Sequence, residues 1–273
     1  MITALPRIAI AVRSLPAALA VFREGFGIPV VDLSTGPAAS LGAGIALGVA
    51  PGASNLELMA PVDPSAPLAV ALQRFLDRRG EGLYALMLEA PVPDDEAETL
   101  RGRGVEVLEL MPGAGGRDIH PRSTHGVLVR VYPERSASYP AEASQAPGLS
   151  GIQAAIVAVG DAERAAQAWG HGLGLTVTEP VDDPRRGVRV ITCRAPDGAD
   201  VELTSVIDPS RAFAQDLDRW LTEGPGGLYG LVLHAADPAA ALDALEGRGL
   251  CVAREPEPSV IAFGTRFLLR RSD

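Results

Sequence analysis

The chain has 273 residues, enough for two cores of ordinary size, and 47% of them are hydrophobic, which excludes a disordered protein. A formal charge of −10 excludes nucleic acid or an anionic membrane as the main partner, because both need a basic face. Two cysteines without CxxC spacing do not make a disulfide framework, and no apolar run approaches eighteen residues, so the expectation is a cytoplasmic protein that does not span a membrane.

RIAIAV at 7–12 reads as a first strand. Ser14 is placed to cap a helix with Pro16 in its first turn, and Gly25 and Gly27 close that helix. IPVVDL, LGAGIALGVAP and NLELMAP follow as three strands, the last two joined by a turn at Pro51-Gly52-Ala53. The unit is therefore βαβββ. A linking helix at 65–79 carries Leu68, Leu72, Phe75 and Leu76 at helical spacing. A second unit starts at Gly82 with the strand LYALMLEAP, a helix at 94–103 and the strand VEVLEL. The glycine-rich loop PGAGGRDIHPRSTHG leads from it to the closing strand VLVRVYP. Residues 136–148 are small, polar and proline-bearing, as expected of a linker.

The order then repeats. Glu57, the run Asp63-Pro64-Ser65 and the run Gly82-Leu83-Tyr84 return as Glu202, Asp208-Pro209-Ser210 and Gly227-Leu228-Tyr229, each 145 residues on. A constant offset through two strands and a helix marks a tandem duplication. The second copy opens with IQAAIVAV, has Asp161 where the first has Ser14, and shortens the glycine-rich loop.

Four βαβββ units in two copies resemble the vicinal oxygen chelate superfamily, which includes glyoxalase I and the bleomycin-resistance proteins. Within it, LELMAPVDPSAPLAVALQRFLDRRGEGLYALMLEAP and ELMPGAGGRDIHPRSTHGVLVRV are similar to the methylmalonyl-CoA epimerases. The resemblance covers most of 7–132. It implies an α+β fold of two tandem half-barrels, each of two βαβββ units, spanning 1–135 and 149–273.

In that superfamily a divalent metal sits on the cup floor, held by His, Gln or Glu, His, and Glu. Carried over, those places fall on Arg7, Glu57, Ala85 and Arg130 in the first copy, and on Ala154, Glu202, Gly230 and Arg270 in the second. One oxygen donor per cup does not hold a dication, and arginine is a fixed cation, so no metal and no other cofactor is expected. The epimerase also needs acids on both faces of the substrate carbon. Arg130 replaces one, and residues 33–56 contain no acid to serve as the other, so epimerase activity is not expected.

Strand alternation puts Arg7, Glu57, Met59, Met87, Glu89 and Arg130 on the inner face of cup A, and Glu202 with Arg270 in cup B. Counting Arg7, Glu57 and Arg130, cup A carries a surplus cation, which implies a small, partly apolar anion as ligand, acyl-thioester-like if the epimerase likeness extends that far. Glu57 is the candidate base and Glu89 the spare acid. Tyr84 and Tyr229 are out of phase with the inner face and expected to be packing residues. Three readings stay open: a metal-independent isomerase or lyase acting beside a carbonyl, a non-catalytic sequestering or sensing protein, and a metal-dependent isomerase, lyase or dioxygenase with other ligands. A homodimer is compatible with each.

Overall fold

A computed structural model of the chain describes residues 1–35, 40–49, 54–113, 115–136, 144–223 and 226–271. The expected turn at Pro51-Gly52-Ala53 and most of the expected linker lie outside these residues.

The first half runs β1 (Ala4–Ala11), α1 (Leu15–Ala20), β2 (Val30–Asp32), β3 (Ala43–Gly48), β4 (Asn55–Pro61), α2 (Pro67–Arg79), β5 (Gly82–Ala90), α3 (Pro93–Gly102), β6 (Arg117–Ile119) and β7 (Leu128–Pro133). Its sheet has the order β2-β3-β4-β1-β5-β7-β6. The second half runs β8 (Leu149–Ala158), α4 (Ala162–Gln167), β9 (Thr176–Val177), β10 (Val181–Asp183), β11 (Val188–Arg194), β12 (Asp197–Gly198), β13 (Asp200–Val206), α5 (Ala212–Glu223), β14 (Gly227–Ala235), α6 (Pro238–Gly247), β15 (Cys251–Ala253), β16 (Ser259–Ala262) and β17 (Thr265–Arg270). Its sheet has the order β10-β11-β13-β8-β14-β17-β16-β15. In each, the leading strands of the two units, β1 with β5 and β8 with β14, pair antiparallel at the centre.

Local chemistry sets the helix starts. The Ser14 hydroxyl accepts from the Ala17 amide at 3.4 Å, and in the second copy the Asp161 carboxylate accepts from Arg164 at 2.9 Å. Both helices continue as a turn of π-helix, the first ending on Gly27 in the left-handed region. One expected strand is not there: of VEVLEL only Val107 bridges to Ile119. Bonds at Glu106 and Leu108 alone reach the neighbouring segment, and RDI, placed in a loop by the sequence, takes the paired position as β6.

Strand alternation sorts the side chains cleanly. Ile8, Ile10, Leu58, Leu86, Leu88, Val129 and Val131 enter one apolar cluster, whereas Ala9, Ala11, Met59, Ala85 and Met87 enter another with Leu68, Leu72 and Leu76 of α2. The second is the cup A lining, and α2 packs into it. In cup B, Ala154, Ile156, Val232 and Leu268 meet Phe213, Ala214 and Leu217 of α5 in the same way.

The larger cluster is shared by both halves, which embrace reciprocally. Phe22 and Phe26 of the first half pack on Phe267 of β17, at 5.9 and 5.1 Å between ring centres. In return, Gly172 of the second half lies where a Cβ would meet Val105 at 3.2 Å, and Arg103 donates to the Gly172 carbonyl at 3.4 Å. The Ser54 hydroxyl donates to the Leu5 carbonyl and accepts from Ala199, tying β1 to the second half where β12 pairs with it. Cys193 is buried and its thiol is pushed up to about 12, so it stays protonated at neutral pH. Among the described residues no helix is long and apolar enough to cross a membrane.

Candidate functional site

The floor of cup A is a lateral row of the sheet. Arg7 is in register with Met87, Met87 with Arg130, and Arg130 with Asp118 of β6. Residues in register on paired strands share a face, so these four stand side by side. Glu57 lies one inward position along β4, opposite Ala9. All the residues carried over from the superfamily pattern in the first half therefore do meet on one surface.

What they form there is a set of ion pairs. Arg7 Nη1 donates to Glu57 Oε2 at 3.0 Å, with Arg7 7% and Glu57 4% exposed. Arg130, only 1% exposed, forks onto Asp118 through Nε at 2.6 Å and Nη2 at 3.1 Å. This bidentate geometry is among the stronger charge-assisted arrangements. Burial works to lower the Arg130 pKa, but Tyr132 and Asp118 together outweigh it and hold the guanidinium above its ordinary value. Glu89 accepts from the backbone of Arg135 and Ser136 and from the Ser136 hydroxyl, and that hydroxyl also accepts from Arg7 Nη2 at 2.9 Å.

Two sequence-based expectations are corrected here. The surplus cation in cup A is cancelled, because Asp118 pairs Arg130 and Glu89 adds a third carboxylate to the lining. Glu89 is also committed to closing the turn after β7 rather than standing spare. Asp118 was missed because it lay in a segment read as loop; the available signal was an acid twelve residues before an inward arginine across a hairpin.

A third correction concerns the phase of Tyr84, though not its packing role. The β1–β5 register shifts between Ala9/Ala85 and Ile10/Leu83, leaving Tyr84 as an extra residue. A bulge turns the side chain to the opposite face, and Tyr84 joins the cup A lining, edge-on to Phe75 at 5.2 Å. The shift recurs at Tyr229, whose hydroxyl donates to Asp216 at 2.6 Å. Burial pushes both phenols up, so both remain protonated. Tyr132 completes the floor of cup A, with the guanidinium of Arg7 at 4.8 Å and that of Arg130 at 5.9 Å from its ring centre.

In cup B, Arg270 pairs with Glu202 at 3.0 Å, as expected, and also with Glu257 at 3.3 Å. Glu257 in turn meets Arg186 at 2.8 Å, and Arg186 lies over Phe213 at 4.2 Å. Neither Arg186 nor Glu257 was foreseen; both sit beside turns rather than on regular inward positions. Burial and the nearby Arg270 lower the Arg186 pKa.

The metal positions of the superfamily can be tested on these donors. Each cup offers one carboxylate at those places, Glu57 or Glu202, and each is already held by a guanidinium. A dication there faces a fixed cation at hydrogen-bond range and lacks the further N or O donors it requires, so the residues do not fit one. Among the described residues no three His, Cys, Asp or Glu side chains come together as a metal-binding group. His120 serves the backbone instead, accepting from the Arg122 amide at 3.0 Å.

The glyoxalase/bleomycin resistance protein/dioxygenase superfamily profile matches residues 153–268. The second half is a domain of that superfamily. A mutant of 4-hydroxymandelate synthase from Streptomyces coelicolor superposes with a TM-score of 0.67 over 93% of this chain and 77% of that one, at 16% identity, and so shares the fold. Methylmalonyl-CoA epimerase from Mycobacterium tuberculosis is 28% identical over 48% of this chain and 89% of its own, with a TM-score of 0.41. A hypothetical protein from Bacillus halodurans C-125 is 24% identical over 50% and 97%, also at 0.41. No curated protein matches the chain. The tandem glyoxalase-like arrangement accounts for both sheets, each curved around its own lining.

Proposed function

We propose that this protein is a metal-independent, small-molecule-binding member of the glyoxalase-like fold. Cup A takes the uncharged carbonyl oxygen, amide- or thioester-like, of a small and partly apolar molecule, since its two guanidinium groups are already balanced by carboxylates. The observation that carries the reading is Arg130 Nη1, which is buried and has no hydrogen-bond acceptor. A buried guanidinium N–H left without a partner is costly and calls for an acceptor. Tyr84 and Tyr132 add phenol donors beside it, and Met59, Met87 and the alanines of β1 supply an apolar wall. Arg7 gives Nη1 to Glu57 and Nη2 to Ser136, while its Nε is, like Arg130 Nη1, buried without an acceptor.

Binding without turnover is the better-supported form of this reading. Glu57 is tied to Arg7 and Glu89 to backbone amides, so neither acid stands free to take a proton from carbon. The test is thermal-shift and calorimetric titration with propionamide and propionyl-CoA against the wild type and an Arg130→Met/Asp118→Asn variant, which removes both charges together. The expected result is stabilisation of the wild type, loss of that stabilisation in the variant, and recovery of each compound unchanged. Equal shifts in both proteins, or none in either, would contradict the assignment to cup A.

A further inference from the structure

Two cations without counter-ions, Arg78 and Arg79, stand where the end of α2 meets the second half, beside the rim of cup B. A cavity of about 390 Å³ opens there between the C-terminal turn of α2, the last turns of α5 and the ends of β14 and β17. That volume is within the range of small-molecule sites. Arg78 and Arg79 come from the first half; Arg219, Arg266, Asp216, Glu223 and the two aromatic residues Trp220 and Tyr229 come from the second. Neither half makes the cavity alone.

Its charges are not balanced. Asp216 accepts from the Tyr229 hydroxyl at 2.6 Å and pairs with Arg266 at 2.8 Å and Arg219 at 3.6 Å, so one carboxylate serves two guanidinium groups. Among the described residues, neither Arg78 nor Arg79 has a carboxylate within ion-pair distance. Arg79 lies over the ring of Phe75 at 5.7 Å. Beside these cations stands an apolar platform. Trp220 is 40% exposed although it is one of two tryptophans in the chain, and it meets Tyr229 edge-on at 5.9 Å. The other, Trp169, is fully buried. Arg266 precedes Arg270 by four strand residues, roughly 13 Å, so the cavity is distinct from the Glu202–Arg270 pair.

We propose that this junction cavity binds a small aromatic acid, its oxyanion forked by Arg78 and Arg79 and its ring laid against Trp220. A guanidinium pair suits a carboxylate or a phosphate, and the indole face suits a planar ring carrying it. The site stands independently of the cup A reading.

Tryptophan fluorescence tests it, with phthalate and phenyl phosphate as probes for the two oxyanions. Trp220 is the exposed reporter, and both arginines are on the surface, so Arg78→Ala/Arg79→Ala leaves the core untouched. Saturable, salt-sensitive quenching by at least one probe is expected, weakened by about tenfold or more in the double variant. It is expected to persist in Arg130→Met/Asp118→Asn, which separates this cavity from cup A. Absence of saturation by both probes, equal affinity in Arg78→Ala/Arg79→Ala, or loss of binding in the cup A variant would each overturn the proposal.

Discussion

Replacing Arg130 with alanine is expected to cost about 3–5 kcal/mol of unfolding free energy, the range for removing one partner of a buried ion pair. Arg130 is 1% exposed, and its deletion leaves the Asp118 carboxylate, with 12% of its side chain exposed, facing an apolar floor without a cation. The loss belongs to the stranded acid more than to the missing attraction. Neutralising both in Arg130→Met/Asp118→Asn is therefore expected to recover most of it, since buried pairs exchanged for apolar or neutral groups of similar volume are often tolerated. Urea unfolding of the two variants measures both numbers. If the single substitution costs less than about 1 kcal/mol, the pair is not sealed in the way cup A requires.

Gly264→Ala is expected to destabilise by about 3 kcal/mol or more, combining backbone strain with a clash at the junction of the halves. Gly264 has φ of 63°, and a Cβ built there overlaps the Glu81 carbonyl of the first half. The counterpart contact is Gly126 against Gly227: a Cβ on Gly227 would lie 2.7 Å from the Gly126 carbonyl oxygen. Each closing hairpin thus presses its glycine turn on the strand start of the opposite half. Because backbone meets backbone, no side-chain rotation relieves the overlap. Thermal unfolding of Gly264→Ala against Gly104→Ala, where nothing lies within 4 Å of the added Cβ at φ of 83°, separates the clash from the left-handed conformation. Equal losses for the two would show that the junction tolerates separation.

The duplicated order, the inner-face residues and the arginines standing at ligand positions were legible because they depend only on a fixed offset and a period of two. Met59, Met87, Arg7 and Arg130 fall on the inner face for that reason. The tyrosines were not legible: a bulge breaks the period locally, and nothing in GLY announces one. The charge of cup A was misjudged for a related cause. Asp118 reaches Arg130 through hairpin register in a three-residue strand preceded by glycines, where alternation gives no signal. The junction cavity was out of reach altogether, because it depends on how α2 of one copy meets α5 of the other.

Metal loading tests the central claim most directly. The protein would be incubated with Mn, Co, Ni and Zn salts, desalted, and its metal content measured by mass spectrometry beside Glu57→Gln and Glu202→Gln variants. Guanidinium groups at the chelating positions predict well under one equivalent per chain for every ion, unchanged by either substitution. A full equivalent of any one ion, lost when Glu57 or Glu202 is replaced, would contradict it.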